Sequence, residues 1–558
     1  MVSEVVYSFS ERVLGGRQGS GMLAADLLII NARIWTGNPV KPFAEAIAIK
    51  GELILAVGSK GEVDALRGPD TQVLDAAGHL VLPGFNDNHT HFMLGGFQLL
   101  SLELRGCKSK DEFVHVIACR AGQVPKGSWI TGGSWNNDQW QQSVMPVKEW
   151  IDDFTSHIPV YLTRSDLHIA FANSAALRLA GIDRHTVSPM GGVIEAHPDT
   201  GEPTGILKDT AMKLVEQCIP APSEQQYDEA LLAAMEHAGR LGITSVQDIT
   251  AWRDWQDWEA FVRFRHQDRL TVRITGRTQI TEWEKQVRLL AEGFGNDIWL
   301  RAGGVKGFVD GSLGSGTALM CEPFTDMPLN SGLLADQMYP EGIMFERILA
   351  ADKAGLPVSV HAIGDKANQL LLDIFAAVIQ ENGVRDRRFR IEHAQHLLPE
   401  DIGRMARLGV LASVQPAHVY EDGCWAGTRL GDKRCQTTYA FRSLLDAGVA
   451  LSFGTDWPVV PLNPFMGIYT AVTRQTQDGL HPNGWVPEQK LQISDCLRAY
   501  TGGSAYAEFS EHIKGRLSPG MLADLILVSQ DVLTVCPEDI PETRVLWTIA
   551  GGRLVYQE

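Results

Sequence analysis

Eight short apolar runs, most of them separated by stretches of helical character, constrain this chain more than any other feature. They are HLVLPGFND, GITSVQDIT, TVRITG, GGVKGFVDG, PVSVHAIGD, FRIEHAQ, LASVQPAH and ALSFGTDWP. A parallel strand covered on both faces is a short continuous apolar run, and a crossover element must return the chain before the next one. MFERILAADKAG before PVSVHAIGD and PEDIGRMARLG before LASVQPAH supply such crossovers, each closed by a glycine where a helix C-cap is expected. Eight βα units predict an α/β fold, a (β/α)8 TIM barrel, with its reactive face at the carboxyl ends of the strands.

The residues at those ends are the ones metal chemistry uses. His89 and His91 follow LVLPGFND, and in extended chain alternate side chains share a face. Two imidazoles on one face supply half of a four-coordinate site for zinc or a similar ion. His361 ends PVSV, His393 follows FRIE, and Asp456 closes LSFGTD. A lone histidine at a strand end serves equally well as a satisfied polar residue, and a lone aspartate as a helix cap. Strand ends of a barrel converge on one cavity, which favours a shared role. Lys306 shares a face with Phe308 and Asp310; a buried ammonium beside cations costs free energy unless it is neutral or converted. Carbon dioxide converts a lysine to a carbamate, an anionic oxygen ligand able to bridge two ions.

About 150 residues separate the first strand from the second, far more than one crossover needs. GSWITGGSWNNDQW, IPVYLTRSDLHIAFANSAALRLAG and GGVIEAHPDTGEPTGIL are structured in pattern, so residues from about 100 to 235 read as a subdomain inserted over the reactive face. Before the barrel, DLLIINARIWTG, AEAIAIKGELILAVG and TQVLDAAGHLVLPG alternate apolar with polar residues, and GRLSPGMLADLILVSQD and RVLWTIAGGRLVYQ resume that style. The expected organisation is a discontinuous β-sandwich of residues 25–79 and 515–558 around a barrel domain of residues 80–514, with residues 1–24 a flexible extension.

Composition narrows the function classes. A net charge of −18 works against nucleic-acid and anionic-membrane binding, which need clustered Lys and Arg. The eight cysteines form no Cys-x-x-Cys pair, which suggests neither a thiolate zinc site nor a disulfide framework and fits a reducing cytoplasm. The expected partner is a small-molecule substrate, without nucleic acid or membrane; a homo-oligomer is compatible with the sequence.

PGFNDNHTHF, VKGFVDGSLGSGTA, HAIGDKA, RIEHAQ, GTDWPV and GRLSPGMLADLILV, in that order, resemble the amidohydrolase superfamily. The resemblance is to its family-3 branch of N-substituted formamide deformylases and YtcJ-like proteins, and spans nearly all of the chain after residue 25. It implies one or two divalent ions, most often Zn2+. His89 and His91 with Asp456 would bind the more buried ion, His361 and His393 the second, and Lys306 as its carbamate would bridge them. Lys208, inside the insertion, is the rival bridge. The implied reaction is hydrolysis of a non-peptide C–N bond, an amide or N-substituted formamide, by a metal-bound hydroxide, with Asp456 as the proton carrier. A deaminase or a cyclic-amide or ester hydrolase is the alternative, and a non-catalytic metal-binding scaffold a remote one. Substrate contacts are expected from Trp135, Asp138, His168, Asp310, Ser312, Gln415 and His418; Trp135 and Trp140 fit the core of the insertion equally well.

Overall fold

The computed structural model of the protein describes residues 24–124, 129–249 and 255–558. The extension expected at residues 1–24 therefore lies, but for Ala24, outside the described residues.

Each of the eight runs contributes a strand to one sheet: Phe85–Thr90 (β1), Ile243–Ile249 (β2), Arg273–Gln279 (β3), Leu300–Phe308 (β4), Val358–Ala362 (β5), Arg390–His393 (β6), Leu411–Val414 (β7) and Leu451–Phe453 (β8). Their spatial order is their chain order and all the pairings are parallel. A bridge between Thr90 and Trp457 joins the two ends of the sheet. Beside it, the Asp456 N–H donates to the His89 carbonyl and the His91 N–H to the Trp457 carbonyl, both at 2.7 Å. The architecture is a TIM-like barrel. The expected helix caps are present: Gly355 and Gly409 follow Ile343–Lys353 and Pro399–Leu408 with φ of 81° and 65°, in the left-handed region glycine enters without cost.

The first run divides, a correction to the expected start of the barrel. Leu80–Pro83 pairs with Arg33–Trp35 and Leu525–Val528 in a separate sheet, and β1 begins only at Phe85. Gly84 stands at the switch, where a Cβ would lie 2.3 Å from Thr244 Oγ1 on the neighbouring strand β2. The separate sheet orders Arg553–Gln557, Val545–Ala550, Leu525–Val528, Leu80–Pro83, Arg33–Trp35 and Phe43–Ala44. A four-stranded sheet of Leu53–Gly58, Ala46–Lys50, Leu27–Ile30 and Gln72–Asp75 shares a core with it, including Ile29, Ile34, Ile49, Val81, Leu527 and Ile549. Between β1 and β2 the chain builds a third small sheet, of Gly192–Ala196, Pro203–Asp209, Ile169–Ala172, Val160–Arg164, Ile130–Trp135 and Leu102–Glu103.

The barrel interior is polar at two levels below the strand ends. At the amino ends, Asn86 of β1 and Thr275 of β3 donate to Glu508 at 2.7 and 2.6 Å, and Lys514 pairs with Glu508 at 2.7 Å and donates to Ser245 of β2 at 3.0 Å. In the next level, Arg390 of β6 donates to Glu392 at 2.6 Å and to Gln247 of β2 at 2.5 Å. Buried charges persist only when paired in this way, so the level beneath the reactive face is held by ion pairs as well as by packing.

Candidate active site

Six side chains meet at the carboxyl ends of five strands. His89 lies in β1 and His91 just beyond it, Lys306 in β4, His361 in β5 and His393 in β6, while Asp456 follows β8; all six are buried. His393 and Asp456 have φ of 78° and 61°, a backbone region costly to a side-chain-bearing residue and found chiefly where the surroundings impose it. The chain bends there at the two positions that aim an imidazole and a carboxylate at the same point.

Each of three histidines has one ring nitrogen engaged by an acceptor, which leaves the other for the cavity. His89 Nδ1 lies 2.7 Å from Glu392 Oε2, His361 Nε2 lies 3.0 Å from the Gly311 carbonyl, and His393 Nδ1 lies 2.8 Å from Gln415 Oε1. An acceptor on one nitrogen places the proton there and leaves the lone pair on the other, the arrangement of metal-binding histidines. Glu392 is itself held by Arg390 and by the Ser413 hydroxyl.

The free ends converge. Asp456 Oδ1 lies 3.4 Å from His89 Nε2 and 3.2 Å from His91 Nε2, and Lys306 Nζ lies 3.3 Å from His89 Nε2. Two ligand atoms at about 2.0–2.2 Å from a tetrahedral ion are roughly 3.3–3.5 Å apart, so the spacing of His89, His91 and Asp456 fits one ion between them. Asp456 Oδ1 is buried among these nitrogens, where it is an acceptor placed for a cation. His393, His418 and Asp456 form a second group whose ligand atoms lie within 4.8 Å of one another. The residues present fit a divalent metal.

Electrostatics agree with this. Burial, with the charge of Lys306 beside it, pulls His89 down to about 4, and burial first of all lowers His361 and His393 well below the usual imidazole range, so the rings are neutral, the form able to ligate a metal. The Asp456 carboxylate stays well below its ordinary range: burial opposes ionisation, and His89, His91 and His393 outweigh it. Burial brings Lys306 down to about 8 against the pull of Glu392 and Asp456, which leaves part of it as the neutral amine near neutral pH. The neutral amine is the form that adds carbon dioxide.

The six residues open into a cavity of about 1360 Å³, whose wall also includes Asp138, His168, Asp310, Ser312 and His418. Asp138 pairs with the buried Arg164, which also holds Asp166 at 2.8 Å. His168 Nδ1 lies 2.7 Å from Asp209 Oδ1, and its ring is 6.2 Å from that of His361, so the insertion brings a polar group beside the strand ends. Burial works against a charge on His168, but the hydrogen bond and charge of Asp209 raise its pKa. Asp310 accepts the backbone N–H groups of Ile363, Gly364 and Leu319 at 3.0, 2.8 and 2.8 Å, which ties the loops after β4 and β5 together; burial nonetheless pushes its carboxyl up to about 7. Ser312 accepts the Ser315 N–H within its own loop.

Two expected contacts sit elsewhere. Gln415 stands behind His393 as its acceptor. Trp135 is wholly buried, donates its indole N–H to the Leu162 carbonyl at 2.9 Å and packs edge-on against Phe113, as a core residue of the inserted sheet. Lys208 pairs with Glu195 at 2.6 Å within the inserted sheet, so Lys306 alone of the two lysines reaches the histidines. Glu392 and Asp209 escaped the sequence reading. Glu392 had a signal, an Arg-x-Glu pair on one face of the strand that ends at His393, and Asp209 is the neighbour of Lys208 in GILKD.

Known proteins share this framework. A model of an amidohydrolase family matches residues 72–556. Protein LONG AFTER FAR-RED 3 of Arabidopsis thaliana is 40% identical over 546 residues, covering 96% of this chain and 92% of its own. The putative amidohydrolase YtcJ of Bacillus subtilis is 31% identical, covering 92% and 96%, and the N-substituted formamide deformylase of Arthrobacter pascens 28% identical, covering 95% and 98%. The crystal structure of an uncharacterized metal-dependent hydrolase from Pyrococcus horikoshii superimposes with a TM-score of 0.73 at 27% identity, over 92% of this chain and 99% of that one. The chain belongs to the amidohydrolase family and is a metal-dependent hydrolase.

Proposed function

We propose that the protein hydrolyses a non-peptide C–N bond, an amide and most specifically an N-substituted formamide, at a zinc centre held by His89, His91, Lys306, His361, His393 and Asp456. The observation that carries this reading is the convergence of four buried imidazoles, one carboxylate and one lysine of depressed pKa on the floor of a single cavity. A divalent ion held there by these residues would supply Lewis acidity and make water a nucleophile near neutral pH. Asp456 takes the proton released as water adds to the carbonyl carbon and delivers it to the nitrogen, so that the amine departs neutral rather than as an anion. Lys306 carries a carbamate in this reading: its neutral nitrogen bonds the carbon of carbon dioxide, one proton leaves, and the product is an anionic oxygen donor. The formamide is favoured by the likeness to the formamide deformylase along nearly the whole of both chains.

The same proposal takes the two small sheets as a discontinuous β-sandwich completed from both ends of the chain, and residues from about 100 to 235 as an inserted subdomain that selects the substrate. The test is a panel of N-alkyl and N-aryl formamides, larger amides and cyclic amides offered to zinc-loaded protein, with amine and carboxylate release measured. Formate and amine in equal amounts from the formamides support the reading; turnover confined to cyclic amides or to aminated rings assigns the site to the alternative chemistry. For the carbamate, Lys306→Ala lowers metal content and added short carboxylic acids restore part of it. A free ammonium at Lys306 in a metal-loaded crystal contradicts the carbamate.

A further inference from the structure

The Val459 N–H donates to the Asp456 carbonyl at 2.8 Å and closes residues 456–459 into a turn that is gripped from two sides. On the barrel side, Asp87 of β1 accepts the Thr455 N–H at 3.0 Å and the Thr455 hydroxyl at 2.6 Å. On the other side stands Arg105, in the loop after Leu102–Glu103, the edge strand of the third small sheet. Its Nη2 donates to the Pro458 carbonyl at 2.6 Å and its Nη1 to the Val459 carbonyl at 3.0 Å. The loop that presents Arg105 is itself fixed, because the Arg105 N–H donates to Glu103 Oε1 at 2.7 Å. The same guanidinium lies 3.9 Å from Glu421, in the helix His418–Asp422 that follows β7, and Asn136 of the small sheet's flank donates to Glu421 at 3.4 Å. Asp456 holds its φ of 61° inside this grip, a conformation that persists where the surroundings impose it.

We propose that Arg105 is a positioning residue for Asp456: it fixes the turn whose backbone aims the carboxylate, and so ties the inserted sheet to proton transfer as well as to the choice of substrate. The inference rests on the reading of Asp456 as the proton carrier. A planar guanidinium offers two donors in a rigid fork and holds two adjacent carbonyls in one relation, which the point charge of a lysine does not do. Proton transfer depends steeply on the placement of the carboxylate, so a slack turn costs rate before it costs binding.

The test compares Arg105→Ala, Arg105→Lys and Arg105→Ala in the Asp456→Asn background. Each preparation is measured for zinc content, for kcat per bound zinc and KM on the best formamide of the panel, and for hydrogen–deuterium exchange over residues 455–460. Arg105→Ala is expected to lose about 10–10²-fold in kcat with a smaller change in KM, and to recover part of it when guanidinium ion is added; Arg105→Lys falls between it and the native protein. The Val459 amide exchanges faster in Arg105→Ala, while the amides of β1 stay protected. In the Asp456→Asn background the same substitution costs little further, because the group it positions no longer carries a proton. Near-normal kcat in Arg105→Ala overturns the proposal, as does an equal loss in the Asp456→Asn background, which would place the effect of Arg105 elsewhere. If no panel member is hydrolysed, the substrate reading fails by itself, and the exchange measurement decides: faster exchange at Val459, reversed by guanidinium ion, supports the grip, and unchanged exchange overturns it.

Discussion

Glu392 illustrates how much of this centre depends on residues that touch no substrate. Its carboxylate accepts from His89 Nδ1, Arg390 and Ser413; burial pushes its pKa up, but Arg390, His89 and Lys306 hold it well below the usual carboxylate range. A charged acceptor behind a ligand imidazole fixes its orientation and strengthens its lone pair. Glu392→Gln keeps the shape and removes the charge, so zinc affinity is expected to fall about 10–100-fold, measured by competition with a chelator, with the fold intact by circular dichroism. Asp456 is the complementary case, a residue for which two roles are proposed. Asp456→Asn keeps one oxygen for the metal but cannot take a proton at neutral pH. Metal should largely remain while kcat falls about 10²–10⁴-fold, the usual contribution of a positioned acid–base group; near-normal kcat with metal in place removes Asp456 from proton transfer. The six metal-site candidates were legible in the sequence because residue type and strand-end position are both local properties. Glu392 was not, since its meaning lies in a contact 303 positions away in the chain.

Among the elements, the eight barrel strands were legible because a parallel strand is an apolar run whatever surrounds it. The division of the first run at Gly84 was not: it depends on the close approach of Thr244, which enters the chain 160 positions later. The inserted sheet shows the same limit. An aromatic residue such as Trp135 looks alike in a wall and in a core, and only the packing of Phe113 and the Leu162 carbonyl decides. Among the side chains that the insertion places on the cavity is His168, held by Asp209, which has φ of 49°. His168→Ala is therefore expected to change the ranking of substrates in the panel, by about tenfold or more between the best and the next, at constant zinc content. A variant that loses zinc while folded would instead make the insertion part of the metal site.

At the scale of the whole molecule, the C-terminal segment closes the barrel at the end opposite the reactive face. Glu508 and Lys514 pair at 2.7 Å among Asn86, Thr275 and Ser245, and the arginine of β4, Arg301, donates to the Glu508 carbonyl. Burial alone would raise Glu508, but Lys514 and Arg301 bring it down to about 2. A depressed carboxylate stabilises the fold above its unfolded pKa, near 4.5, and that contribution disappears as the pH falls from 4.5 through 2. Breaking a buried pair from one side typically costs about 3–5 kcal/mol. Glu508→Gln should thus lower stability clearly at pH 7, with the gap to the native protein unchanged down to about pH 4.5 and closing below it; a gap independent of pH would assign the loss to packing instead of charge. This plug and the ion pairs of the level above it support the floor on which the candidate metal site rests. The claim that the site is a metal centre for C–N hydrolysis is tested most directly by measuring zinc per chain and formate release on the same preparations of native protein and of the His89→Ala, His91→Ala double variant. Between one and two zinc ions with turnover in the native protein, and loss of both zinc and turnover in a folded double variant, is the result expected; full hydrolysis by a chain stripped of every transition metal would contradict it.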